Sequence, residues 1–112
     1  MKRLIFGALA IVSVTAAASK PPYNLHVPSD PNATFTVLEI GNKGNLATII
    51  TKRDGKSGTT YSQRAYDCNA RKVMYLGSGE TLGEMRSSKP DEHLSPIVDG
   101  SIADYVGNEA CN

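Results

Sequence analysis

The N-terminus constrains this chain most, because it decides both the compartment of folding and the length of chain that remains to fold. A cationic head, Lys2-Arg3, precedes an apolar run over residues 4–14. This order is typical of a secretory signal peptide. Alanine occupies both small-residue positions of a cleavage site that ends at Ala18. We therefore expect residues 1–18 to be removed and the mature chain to begin at Ser19.

The mature chain is expected to be one small domain without a membrane anchor. Removal of 18 residues from 112 leaves 94, which suits a single domain. The apolar run of the signal has 11 residues. A membrane-spanning helix needs roughly 20.

The formal charge changes from +1 to −1 when the two basic residues of the signal are lost. This balance argues against nucleic acid or an anionic membrane as the partner, since both attract clustered basic residues.

Cys68 and Cys111 are the only cysteines of the chain. In an oxidising compartment, an even number of cysteines in a small domain indicates disulfide bonding, and two cysteines allow one pairing. The other interpretation is a catalytic or redox thiol at Cys68. The chain has no Cys-x-x-Cys pair, and no basic residue lies directly beside Cys68 to favour a thiolate. We therefore expect a Cys68–Cys111 disulfide.

Hydrophobic patterning predicts a sheet followed by a helix. Residues 19–33 hold four of the six prolines and are expected to form an extended leader, although alternating apolar positions leave a short edge strand open. Residues 34–112 are expected to form the domain. Gly-rich or Asp-Gly segments predict turns at 41–45, 54–58 and 77–79, with a polar loop at 87–96. The predicted strands are residues 34–40, 46–51, 59–68, 71–76 and 80–86.

The C-terminal segment changes to a helical period. Ile102, Tyr105 and Val106 recur at helical spacing, and Ser101 with Asp104 three residues later resembles a capping box. We expect a short helix over residues 101–110. The fold class that follows is α+β, an antiparallel β-sheet of about five strands with one short C-terminal helix tethered by the disulfide.

These features resemble the bacterial surface-adhesin protein E-like domain family of small exported proteins. The resemblance covers roughly residues 34–111. It rests on the following matches: Tyr66-Asp67-Cys68, Arg71-Lys72, Tyr75, Gly77-Ser78-Gly79, Ser95-Pro96 and Gly100-Ser101 before the helix that leads to Cys111. The chain lacks the tryptophans that family members usually carry, and it lacks the lipid-acceptor cysteine of the best-known member, which is lipid-anchored. The resemblance implies a sheet with a C-terminal helix, the same cysteine pairing, and adhesion to host extracellular-matrix proteins.

No catalytic, cofactor-binding or metal-binding pattern is present in the sequence. His26 and His93 lie in predicted loops, and the run Asp91-Glu92-His93 is typical of a solvated loop. No nucleophile is spaced for acid–base chemistry, and no glycine-rich segment has the form of a phosphate-binding loop. We therefore expect no enzyme, no cofactor and no metal site.

Recognition is expected to use a sheet face and its turns. Tyr61 and Tyr66 lie on opposite faces of one predicted strand, so the helix should cover one of them and leave the other available for binding. The candidate binding surface therefore comprises Tyr61, Tyr66 and the turns around Asp54 and Ser78.

The sequence thus predicts an exported, non-enzymatic binding or adhesin-like protein of the bacterial envelope or surface. Its expected partner is a host-matrix or envelope protein, with no nucleic acid and no stable membrane insertion. Homodimerisation, and the choice between periplasm and cell surface, are left open. The alternative is a periplasmic inhibitor or accessory factor of an envelope enzyme or secretion assembly, with the polar loop 87–96 entering the partner's cleft.

Overall fold

A computed structural model describes residues 20–112, so the predicted signal peptide at 1–18 and the cleavage site between Ala18 and Ser19 lie outside the described residues. The strands are β1 (Tyr23–Leu25), β2 (Thr34–Lys43), β3 (Leu46–Gly55), β4 (Gly58–Asp67), β5 (Lys72–Gly79) and β6 (Ser95–Pro96). The helices are α1 (Leu82–Ser87) and α2 (Ile102–Ala110). Neither helix is long and apolar enough to cross a membrane.

The six strands form one antiparallel sheet in sequence order, from β1 at one edge to β6 at the other. The predicted α+β class is confirmed, with six strands where about five were expected. The β2–β3 hairpin turns at Gly44-Asn45, and the φ of Gly44 is 61°. A glycine with positive φ at the first central position is the requirement of a type II′ turn, whose twist matches that of paired strands.

The two faces of the sheet carry different helices. Val37, Ile49 and Tyr66 are fully or nearly fully buried and form the core with Val106 and Ala110 of α2. We call this the α2 face. On the opposite side, the α1 face, the backbone of α1 lies against β5. The close approach requires glycine at positions 77 and 79, because a Cβ at either position would overlap the α1 backbone.

Tyr66 is the centre of the core on the α2 face. Its side chain has no exposed surface, and its hydroxyl donates to the carbonyl oxygen of Ala103 at 2.7 Å. Burial raises the pKa of Tyr66, since the phenolate would lose its hydration. Gly107 of α2 lies directly on the ring, where an added Cβ would be 2.6 Å from Cε1. Gly107 has a low helix propensity, but its lack of a side chain allows α2 to approach the sheet closely.

The predicted C-terminal helix is confirmed, with Ser101 as its N-cap. The Ser101 hydroxyl accepts a hydrogen bond from the backbone N–H of Asp104 at 3.2 Å. Asp104 in turn accepts from the Gly100 N–H at 2.9 Å and from Arg71 at 3.2 Å, and these bonds lower the pKa of Asp104. The carboxylate therefore stabilises the fold at neutral pH, and its contribution is lost as the pH falls through the lowered pKa.

The Cys68–Cys111 disulfide is present, with the two Cα atoms 5.8 Å apart. Cys68 directly follows β4, and Cys111 caps the C-terminus of α2. The bond therefore fixes the end of the helix to the strand that contributes Tyr66.

The predicted fifth strand, residues 80–86, is wrong: most of this segment belongs to α1. Thr81 caps the helix by accepting from the Glu84 N–H at 3.0 Å, a Thr-x-x-Glu capping pattern. The predicted turn at residues 77–79 is also wrong, since these residues belong to β5. The sixth strand, β6, lies at the end of the segment expected to be loop, and it pairs with Lys72 and Val73.

The segment expected as a leader contributes to the sheet. β1 pairs with Phe35, Thr36 and Val37 of β2. The Tyr23 hydroxyl donates to Glu109 of α2 at 2.7 Å, and burial together with this carboxylate raises the pKa of Tyr23 to about 12. Part of residues 19–33 is therefore packed against the domain.

Candidate binding groove

An open groove of about 330 Å³ lies on the α2 face, beyond the end of the hydrophobic core. Its floor is formed by neighbouring positions of β4 and β5, where Ser62 pairs with Ser78. Alternation along β4 places Thr60, Ser62, Arg64 and Tyr66 on the same face. The residues that line the groove are Thr60, Ser62, Tyr75, Gly77, Ser78, Ser88, Lys89 and Asp91.

Arg64 lies between the groove and the hydrophobic core. It is only 5% exposed, and it makes no ion pair with any of the described residues 20–112. Its guanidinium donates to the Thr51 hydroxyl at 3.2 Å and to the Tyr75 hydroxyl at 2.9 Å, while Nε has no hydrogen-bond partner. Burying a charge without a counter-ion is costly. Arg64 is therefore a buried positive charge whose side-chain hydrogen-bond acceptors within residues 20–112 are neutral oxygens.

Tyr75 connects this charge to the groove. The guanidinium carbon of Arg64 lies 4.7 Å from the centre of the Tyr75 ring, a cation–π distance. Tyr75 is nevertheless 41% exposed. Its backbone N–H donates to Asp91 Oδ2 at 3.0 Å, and its carbonyl accepts from the Asp91 N–H at 2.9 Å. Tyr75 is thus held by neighbours on its backbone and side chain while it presents an aromatic surface to solvent.

The wall of the groove is formed by residues 88–91, which directly follow α1. The Ser88 hydroxyl accepts from the Ser78 N–H at 2.8 Å, and Asp91 bonds to Tyr75 as described. These bonds fix the segment along the outer edge of β5. Lys89 lies between the two attachments and is exposed. Arg64 and Lys89 contribute two positive charges to this region and Asp91 one negative charge, so the balance favours an acidic group on a ligand.

The four residues expected to form a binding surface are not brought together. Ser78 is exposed in the groove, but Tyr66 is buried beneath α2 and offers no binding surface. Tyr61 pairs with Lys52 and lies on the α1 face, where it is partly buried. The Asp54 carboxylate accepts from the Thr59 hydroxyl at 2.6 Å beside the β3–β4 turn. Only Ser78 therefore belongs to the groove.

The sequence interpretation missed Arg64 and Lys89 and did not assign Tyr75 to a site. One signal was available: Arg64 occupies the position between Ser62 and Tyr66 on one face of a strand, where a charged side chain must either reach solvent or find a partner. The position of Lys89 depends on how residues 88–91 return to β5, which no local pattern encodes.

Residues 20–112 contain no cluster of three or more His, Cys, Asp or Glu side chains placed to hold a metal ion. Comparison with family models, with curated proteins and with solved structures finds no match to this chain.

Proposed function

We propose that this protein is an exported, non-enzymatic binding protein of the bacterial envelope or surface, and that it holds a protein partner through the groove at Tyr75. The observation that carries the proposal is the exposed Tyr75 ring, supported underneath by Arg64 and at its backbone by Asp91. A tyrosine held in this way contributes a large amphipathic contact at small cost in conformational entropy.

The resemblance to surface-adhesin protein E-like domains belongs to this proposal and suggests host extracellular-matrix proteins as partners. Binding rather than catalysis is favoured because two groove residues whose side chains could serve as acid or base, Asp91 and Tyr75, have structural bonds. The Asp91 carboxylate accepts the Tyr75 N–H, and the Tyr75 hydroxyl accepts from Arg64. The net positive balance favours an acidic segment of the partner, with Lys89 at the rim contributing to attraction in solution.

The alternative of an inhibitor that inserts the loop 87–96 into a partner's cleft has less support. Ser88 and Asp91 bond to β5, and residues 95–96 form β6. The segment is therefore attached to the sheet edge near both of its ends, which limits how far it can enter a partner's cleft.

Binding to purified host-matrix proteins and to envelope fractions of the producing bacterium tests the proposal. We expect Tyr75→Ala to weaken binding at least tenfold, about the effect of losing an aromatic hot spot. Ser78→Trp should block the groove while leaving the Arg64 and Tyr75 contact in place.

Lys89→Glu should weaken binding most at low salt, because exposed charges are screened by added ions.

Lys56→Glu, at the exposed β3–β4 turn, is the charge-matched control and should bind like the wild type. Thermal unfolding of each variant establishes that it is folded. Capture of no partner by the folded wild type contradicts the binding function. Equal affinity of wild type, Tyr75→Ala and Ser78→Trp for a captured partner leaves the function standing and rejects the groove.

A further inference from the structure

Half of β2 has an uncovered outer edge. β1 pairs only with Phe35, Thr36 and Val37, although β2 continues to Lys43. Pro21 and Pro22 precede β1, and proline has no N–H with which to extend the ladder. Among residues 20–112, no strand lies on the outer side of Glu39 to Lys43, and no loop makes a backbone hydrogen bond to it.

The hairpin fixes which backbone groups this edge presents. Lys43 and Leu46 flank a two-residue turn and therefore form a hydrogen-bonded pair within the hairpin. Hydrogen-bonded and non-hydrogen-bonded residue pairs alternate along an antiparallel pair of strands. Gly41 and Glu39 therefore also direct their backbone groups toward β3. Ile40 and Asn42 direct their N–H and C=O groups outward. A bulge at Leu38 separates this stretch from the part that β1 covers.

We propose that two copies of the mature chain pair antiparallel along this edge, with Gly41 of each copy at the two-fold axis. In this register Ile40 of one copy faces Asn42 of the other and exchanges both backbone hydrogen bonds with it. The two-fold axis repeats the exchange on the other side of Gly41. The outward groups of Ile40 and Asn42 are then satisfied in both copies.

The side chains select this register by charge. Pairing centred on Gly41 places Glu39 of each copy opposite Lys43 of the other, at non-hydrogen-bonded positions where side chains come closest. Neither Glu39 nor Lys43 makes an ion pair within the described residues, although Arg86 lines the same depression as Glu39. A shift of the pairing by one residue removes both opposite-charge pairs.

The length of the free edge also fits this arrangement. Pairing extends over Glu39 to Lys43 and ends where the Gly44-Asn45 turn of one copy meets the start of β1 of the other. Ile40 is 37% exposed and adds an apolar contact beside the axis. Bulges and charged residues usually protect an edge from indiscriminate pairing, and here they leave one charge-complementary register. So short an interface predicts a weak, concentration-dependent dimer.

Sedimentation analysis of the mature protein over a range of concentrations tests the pairing. The wild type should pass from monomer to dimer as its concentration rises. Glu39→Lys and Lys43→Glu each place like charges opposite each other twice, so each should raise the dimer Kd about tenfold or more. The combined variant Glu39→Lys with Lys43→Glu exchanges the charges and should restore the wild-type Kd.

Ile40→Pro removes an outward N–H that β3 does not use, and it should abolish the dimer in a chain that still unfolds cooperatively. Lys56→Glu, distant from this edge in the sheet, should leave the Kd unchanged. A wild type that remains monomeric at every concentration overturns the proposal. So does a dimer whose Kd is unaffected by the single charge reversals, or one that the charge exchange fails to restore.

Discussion

Replacement of both Cys68 and Cys111 by serine will lower the free energy of unfolding by about 2–5 kcal/mol. The cysteines are 43 residues apart, and the loop-entropy model gives about 4 kcal/mol for a closure of this length. The loss is large for a domain whose total stability is of the order of 5–15 kcal/mol. Without the bond, α2 is held to the sheet only by its packing and by side-chain bonds such as that from Tyr66 to Ala103.

Urea unfolding followed by circular dichroism measures this effect. Reductant should destabilise the wild type by the same amount and leave the double-serine variant unchanged, which controls for the serine substitutions. An unfolding midpoint that is insensitive to both treatments would mean that the covalent link does not contribute to the stability of the domain.

Replacement of Tyr66 by alanine will lower the free energy of unfolding by about 3–5 kcal/mol, the range for truncating a large buried aromatic residue. The ring is fully buried against Gly107, so its removal leaves a cavity between β4 and α2. Tyr66→Phe keeps the ring and loses only the hydrogen bond to Ala103, for which we expect about 1 kcal/mol.

Tyr61→Ala is the matched control for this prediction, because Tyr61 lies in the same strand on the opposite face and is only partly buried. Chemical denaturation of the three variants should rank the losses with Tyr66→Ala far above the other two. Equal losses for Tyr61→Ala and Tyr66→Ala would contradict the assignment of the core to the α2 face.

The main strands and the C-terminal helix could be predicted because their patterns are long and locally consistent. Residues 59–68 alternate over a complete strand, and Ser101 with Asp104 marks the start of α2. The disulfide followed from the number of cysteines and the expected compartment. For the strands and the helix, the local conformational preference of the sequence agrees with the environment of these residues in the fold.

The segment from Gly77 to Ser87 could not be assigned in the same way. α1 has six residues and buries only Met85, too short a stretch for a helical period to be visible. Thr81 and Glu84 provided its only local signal. Gly77 and Gly79 suggested a turn, but their small size serves the close approach of α1 to β5. That requirement is tertiary and has no local signature.

The groove was still less accessible to sequence reasoning. It depends on the pairing of β4 with β5, including a bulge at Leu76 that restores Ser78 to the face of Ser62. It also depends on the return of residues 88–91 to β5. The sequence could indicate that tyrosines are available for recognition, but the choice of Tyr75 over Tyr66 is decided by which of them α2 covers.

The central claim, an exported and disulfide-closed binding domain, is tested most directly by the intact mass of the protein recovered from periplasm and medium. Thiol alkylation before and after reduction supplies the redox state in the same experiment. We predict a chain that begins at Ser19, with both cysteines protected until reductant is added. An uncut chain retained in the cytoplasm with two free thiols would contradict the account.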